Sequence, residues 1–272
     1  MLRPYLALVS ARYRQLLQYR AAAFAGAGTQ FFWGFIRIMI FEGFYLSSTA
    51  EPPMSFPALV SYVWLGQALL AMLPWNHDQE LEGMIRRGDV AYELVRPVDL
   101  YGLWFARTLG MRAANTSLRC VPMIFVTGLV LSGTPLERWA LGAPESAAAA
   151  SLFVVAVLAA LVLGVAITTL VHISFMWTIS GEGMARLVPT LVMISSGMVI
   201  PLPLFPSWAQ PVLAILPFRG LADTPFRIYS GDLAAGDAAA AILLSLTWAA
   251  VLIVAGRALL ARGCRRLVIQ GG

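Results

Sequence analysis

The chain has 272 residues, of which 59% are hydrophobic and only 12% charged, with a formal net charge of +5. A water-soluble domain carries roughly a quarter charged residues. Half that share leaves too few polar groups for a water-facing surface, so an ordinary soluble fold is excluded. An all-α integral membrane protein resolves the mismatch, because lipid-facing side chains are apolar all round.

Every one of the 19 basic residues is Arg. They are scattered over short loops rather than gathered on one face, which argues against a nucleic-acid partner. Arg in short loops instead marks the cytoplasmic side and the anionic lipid there. Cys120 and Cys264 fall in segments placed at or near that side, so reduced thiols are expected rather than a disulfide framework. Arg12, Arg14 and Arg20 interrupt the first apolar stretch, and no cleavable signal peptide is read there.

Taken in chain order, residues 1–20 place Tyr5, Leu6, Val9, Tyr13, Leu16 and Leu17 near helical spacing, punctuated by arginines. This predicts an amphipathic helix at the inner membrane surface. Residues 21–272 then form a single transmembrane domain of six spans, each near the ~20 residues a bilayer requires. The first two are predicted over 21–46 and 56–73. The third begins near Tyr101 as a cytoplasmic helix, enters the membrane near Leu118 and ends about Leu131. The fourth covers 147–175, the fifth 187–200 and the sixth 238–259. With the amino terminus inside, fifteen arginines are cytoplasmic, three (Arg138, Arg219, Arg227) are outside, and Arg37 lies within a span. The opposite topology inverts that ratio, so both termini are expected in the cytoplasm of a cell whose inner membrane holds the chain.

Two loops carry information. In the first, about residues 75–98, Asp78 caps a short helix that runs through Arg87, with acids near its start and bases near its end. Gly88 suits its C-terminal stop. Leu81, Met84 and Ile85 form one apolar patch. Docking onto a soluble partner and packing on the chain's own surface both fit this pattern. In the second loop, about 201–231, Pro201, Pro203, Pro206, Pro211, Pro217 and Pro225 forbid one continuous spanning helix. A re-entrant or interfacial segment on the outer face fits, with Trp208 and Tyr229 at headgroup depth.

The run Ile85-Arg-Arg-Gly-Asp-Val-Ala-Tyr-Glu-Leu-Val-Arg-Pro-Val98 resembles the first cytoplasmic loop of bacterial ABC-2-type transporter permeases. Pro201-Leu-Pro-Leu-Phe-Pro-Ser-Trp208, with Leu216-Pro-Phe218 and Tyr229-Ser-Gly231, is similar to the segment before their last span. The resemblance covers nearly the whole chain. It implies an exporter permease that pairs with a second permease subunit, the same chain or a different one, and with two ATP-binding cassette subunits. The helix from about Asp78 to Arg87 becomes a coupling helix, with Leu81, Met84 and Ile85 as apolar contacts to the ATPase and Asp78, Glu80, Glu82, Arg86 and Arg87 as its capping and polar residues. Ser180-Gly-Glu-Gly-Met184 becomes a smaller second contact. Phe205, Trp208 and Pro217 become part of an outer gate. The chain has no Lys and so no G-x-x-x-x-G-K-[ST] loop. No cofactor is expected in this chain, with ATP and Mg bound by the partner ATPase, and no enzymatic activity of its own.

Single residues remain to be weighed. Arg37 and Glu42 lie in the outer part of the first span, where a charge usually faces protein or water. A role on the translocation path competes there with simple pairing or snorkelling. His172 reads as a hydrogen-bonded interior histidine, with no metal site at ligand spacing. His77-Asp78 suggests a hydrolase only in isolation. Met176, Met184, Met193 and Met198, with Phe175 and Trp177, offer either an adaptable substrate surface or plain core. Gly128, Gly164 and Gly197 are expected to allow close helix packing. Two rival functions are an ion-coupled carrier without an ATPase, for which only Glu42 supplies an intramembrane acid, and a membrane-embedded enzyme, for which no catalytic constellation appears in the spans.

Overall fold

The computed structural model describes residues 2–18, 20–49, 51–178 and 182–265, and among these the fold is all helical. The helices are α1 (Arg3–Leu16), α2 (Arg20–Ser47), α3 (Phe56–Leu69), α4 (Gln79–Arg87), α5 (Val90–Leu94), α6 (Leu100–Phe125), α7 (Ala147–Ser174), α8 (Glu182–Ser195), α9 (Gln210–Ile215), α10 (Asp223–Tyr229) and α11 (Ala235–Cys264). Among the described residues, four stretches are long and apolar enough to cross a membrane: Phe24–Ser47, Leu100–Gly133, Ala147–Ser174 and Ala235–Cys264. The second and fifth expected spans are shorter apolar helices, Phe56–Met72 and Gly183–Ser195. The short loop at 180–184 lies partly outside the described residues.

α1 is amphipathic, as its spacing predicts, but it has a structural partner besides any membrane. It runs parallel to the first half of α6: the Tyr5 hydroxyl accepts from the Asp99 N–H at 3.0 Å, and Tyr13 bonds Ser117 at 3.0 Å. α6 is one helix from Leu100 to Phe125, continued by a π turn at Val126–Val130 and a 3-10 turn at Leu131–Gly133.

The main core joins α2, α3, α6, α7, α10 and α11. Trp64 of α3, 1% exposed, lies at its centre with Phe31 and Phe35 edge-on and its indole N–H donated to the Trp139 carbonyl at 2.7 Å. α7 approaches the end of α3 at Gly164, where a Cβ would stand 3.0 Å from the Met72 carbonyl oxygen. Gly128 meets nothing closer than 3.9 Å, so it is not a site of tight packing. Gly197 serves a turn instead: its φ of 85° is open to glycine at little cost, and it ends the run of α8 against the Tyr62 hydroxyl.

The proline-rich stretch from Pro201 to Tyr229 is broken into a 3-10 turn at Leu202–Leu204, α9, a second 3-10 turn at Pro217–Leu221, and α10. Its depth can be read along α11. Trp248 donates its indole N–H to the Ile215 carbonyl at 2.9 Å, about 20 Å along α11 from Ala235 at a helical rise of 1.5 Å per residue. Tyr229, by contrast, donates to the Gly142 carbonyl at 2.8 Å, just ahead of the start of α7. The segment therefore packs beside α11 at Ile215 and against the approach to α7 at Tyr229.

Candidate functional site

The 75–98 loop folds into two short helices, α4 and α5, held against the ends of α1, α6 and α7. Asp78 begins α4. Its backbone is extended, and its carboxylate accepts from the N–H groups of Glu80 at 3.0 Å and Leu81 at 3.3 Å. Glu80 and Glu82 lie in the first turn and Arg86 and Arg87 in the last, so the charges follow the helix dipole. Gly88, with φ of 78°, closes the helix, and the N–H groups of Gly88 and Asp89 return to Ile85 and Met84.

The same Asp78 is also a junction between helices. Its Oδ2 accepts from Arg107 of α6 at 2.7 Å and from Arg12 of α1 at 3.1 Å. Its own N–H donates to Nε2 of His172, in α7, at 3.0 Å. One residue thus ties α1, α4, α6 and α7. Burial alone pushes the Asp78 carboxyl up, but Arg107, Arg12 and the Leu81 N–H together outweigh it and hold it below the ordinary carboxylate value. Glu82 is likewise held low: its partial burial is outweighed by His77 at 2.6 Å and by Arg86 at 2.8 Å.

A second tie lies directly behind. Arg112 of α6, 1% exposed, makes no ion pair among the described residues. It donates instead to the carbonyls of Ala71 (3.2 Å), Leu73 and Asn76 (2.6 Å), and to the Thr168 hydroxyl (2.8 Å). These carbonyls end α3 and lead into α4, where helical backbone partners run out. A rigid fork of five donors is suited to several acceptors at once.

The structure changes the roles of two expected contact residues. Leu81 and Ile85 are 0% and 7% exposed and pack in a core with Val90, Tyr101, Trp104, Val171, Phe175 and Leu260. They hold the loop to its own protein and offer nothing to a partner, because an i, i+4 apolar pair turns to whichever apolar surface lies nearest. Asp78 is buried too. Glu80, Arg86 and Arg87 are exposed, and Glu82 and Met84 are half-exposed. The apolar groups the loop does present are Tyr92 (74% exposed), Val95 (81%) and Leu94 (45%) on and after α5, with Trp75 before α4. Sequence reasoning passed over α5 as a connection. The alternation of Val90 and Glu93, both buried, with exposed Tyr92 and Leu94 was the available signal.

Arg37 and Glu42 are not brought together. Arg37 donates to the Met198 and Val199 carbonyls, each at 2.5 Å, where the chain breaks after α8. It thereby satisfies backbone that lipid cannot. Glu42 pairs with Arg138 at 3.4 Å. Of the three expected gate residues, Phe205 packs on Leu202, Ala209 and Leu213, and Trp208 is 78% exposed. Pro217 lines a different, almost wholly apolar cavity of about 440 Å³ between α7, α8 and α11, together with Trp177, Met184 and Leu252. The three do not form one constriction. Of the methionine cluster, Met184 joins that cavity, while Met198 is buried in the main core.

A family model described as "ABC-2 family transporter protein" matches residues 28–271. The chain belongs to that family. No curated protein and no solved structure matches it. As an ABC-2 family member it is a multi-pass membrane transport component without an ATP-binding motif of its own. His77 and His172 have structural roles in it, His77 against Glu82 and His172 as acceptor of the Asp78 N–H.

Proposed function

We propose that this ABC-2 chain is the permease subunit of an ATP-driven exporter and that the α4–α5 loop is where a partner ATPase drives it. The observation that carries the reading is the Asp78 junction. A force applied to α4 reaches α1, α6 and α7 through one buried carboxylate, one backbone N–H and two guanidiniums, without first bending a flexible loop. Arg112 extends the same connection to the end of α3. In this reading six segments cross the inner membrane, with α3 and α8 as short spans and both termini in the cytoplasm. A second permease, identical or different, completes the pathway. ATP and Mg are bound by a pair of cassette subunits. Closure of that pair would push α4 and rock the bundle from inward-open to outward-open, releasing a hydrophobic or amphipathic cargo past the Pro201–Tyr229 segment.

The contact face differs from the one the sequence suggests. Its apolar part is Tyr92, Leu94 and Val95, and its polar part is Glu80, Arg86 and Arg87. The test is a detergent pull-down of the full chain from its native membrane, followed by mass spectrometry and an ATPase assay. A soluble ATPase is expected with the wild type and is expected to be lost with the double variant Tyr92→Asp, Val95→Asp. If no ATPase accompanies the wild type, the exporter reading fails.

A further inference from the structure

The broken segment between α8 and α11 encloses a cavity of about 340 Å³ lined by Arg219, Asp223, Arg227, Ser207, Gln210 and Leu202. Three of the side chains lining it are charged: Arg219, Asp223 and Arg227. Gly220 packs against Ser245, about 15 Å along α11 from Ala235. Ionisable groups at membrane depth face protein or a water-filled cavity, and they mark ligand paths more often than plain structure.

The two arginines around this cavity are matched by two carboxylates, Asp223 and Asp232, but the pairing is uneven. Asp223, 0% exposed, is the one acid among the described residues that line it. It accepts from the Tyr62 hydroxyl at 3.2 Å and from Arg219 Nε at 3.3 Å, and lies 3.7 Å from Arg227. Arg227 is committed elsewhere as well, donating its Nε to Asp232 at 2.5 Å. Arg219 gives only its Nε, and in a long bond. Its two terminal nitrogens have no acceptor among the described residues, although its side chain is only 19% exposed. A half-buried guanidinium with free donors beside a cavity is an incomplete anion site. The rest of the wall is apolar, from Leu202 and Pro203 to Pro211 and Ala214.

We propose that this cavity binds the anionic head of an amphiphile, a phosphate or carboxylate on Arg219, with the apolar wall taking the first carbons of its tail. The idea deepens the exporter reading by naming a cargo class and its station near the exit. It rests on that reading for the word cargo, and not for the binding itself.

The experiment measures equilibrium binding of radiolabelled hexyl phosphate to the full chain in nanodiscs of zwitterionic lipid. Ser207 lines the cavity and is exposed, so charge can be placed there without disturbing the fold. Ser207→Asp should weaken binding about tenfold and Ser207→Arg should tighten it, since one charge-assisted contact is worth roughly that factor. Arg219→Gln should weaken binding at least as much as Ser207→Asp. Hexyl glucoside should not compete, and inorganic phosphate should compete less well than hexyl phosphate. Equal binding by wild type, Ser207→Asp and Ser207→Arg would overturn the proposal, even if Arg219→Gln fails to fold. Equal competition by inorganic phosphate would overturn the amphiphile and leave a bare anion. If the ATPase co-purifies but hexyl phosphate does not bind, this proposal falls and the exporter reading stands. If hexyl phosphate binds but no ATPase co-purifies, the anion site stands and the exporter reading falls.

Discussion

Two regions of the molecule are built around a buried aspartate flanked by two arginines, and they differ in where the arginines come from. Asp78 draws Arg12 from α1 and Arg107 from α6, each far from it in sequence, and gives its N–H to His172 in α7. Asp223 draws Arg219 and Arg227, each four residues away on its own segment, with the Tyr62 hydroxyl reaching in from α3 and its own N–H given to the Ser196 carbonyl just past α8. The first is a tie between elements: both carboxylate oxygens of Asp78 are taken, although Arg12 Nε is left buried without a partner. The second folds a segment onto itself and leaves guanidinium donors facing a cavity. Similar chemistry gives a mechanical joint in one place and an open site in the other.

The largest expected effect is at the joint. Asp78→Ala removes the helix cap and leaves Arg12 and Arg107 only the exposed Glu80 carboxylate, which by comparison with caps and broken buried pairs costs about 2–4 kcal/mol. Asp78→Asn should cost less, because its amide oxygen still caps the N–H groups of Glu80 and Leu81. Thermal unfolding of the purified chain measures both. If Asp78→Ala unfolds like the wild type, the junction does not hold the loop. The pH dependence has a definite sign. Asp78 is held below its unfolded value, so its contribution is complete above the usual carboxylate pKa of about 3.9 and is lost as pH falls through the lower folded value. Unfolding midpoints of wild type and Asp78→Asn should therefore converge on acidification below about pH 4.

An intermediate effect is expected at the other aspartate. Tyr62→Phe removes the hydrogen bond that the Asp223 carboxylate accepts from α3, a loss of about 1–2 kcal/mol. Its local character is the sharper point. Cysteine accessibility around Ser207 should rise while accessibility around α4 stays unchanged. A change at both ends would mean that the two regions move as one body and would erase the contrast between them.

Much of the loop was legible beforehand because its signals are local. An Asp cap, acids before bases and a closing glycine set α4 at Gln79–Arg87, one residue inside the expected Asp78–Arg87. The proline spacing announced the broken segment for the same reason. What could not be read is where each face turns. Leu81 and Ile85 make a convincing docking patch until Trp104 and Val171, which the sequence does not place, arrive beside them. Arg37 looked like a pathway residue because its partners are carbonyl oxygens 161 and 162 positions away, and backbone acceptors leave no mark in a sequence. Arg112 went unremarked as a site for the same reason, although its four partners make it the most fully coordinated cation among the described residues.

The smallest expected effect on stability is the most informative about function. Tyr92→Asp with Val95→Asp places charge on side chains that are 74% and 81% exposed, and exposed substitutions of this kind usually stay within about 0.5 kcal/mol. The purified double variant should therefore melt with the wild type while losing its ATPase. Leu81→Asp should do the reverse in kind: it buries a charge among Val90, Trp104 and Val171, so the loop is disrupted before any partner is consulted. A docking face and a packing face on the same short loop are separated by this pair. If Tyr92→Asp, Val95→Asp keeps its ATPase, the partner must read the charged edge of α4 alone, and Glu80, Arg86 and Arg87 become the next residues to change.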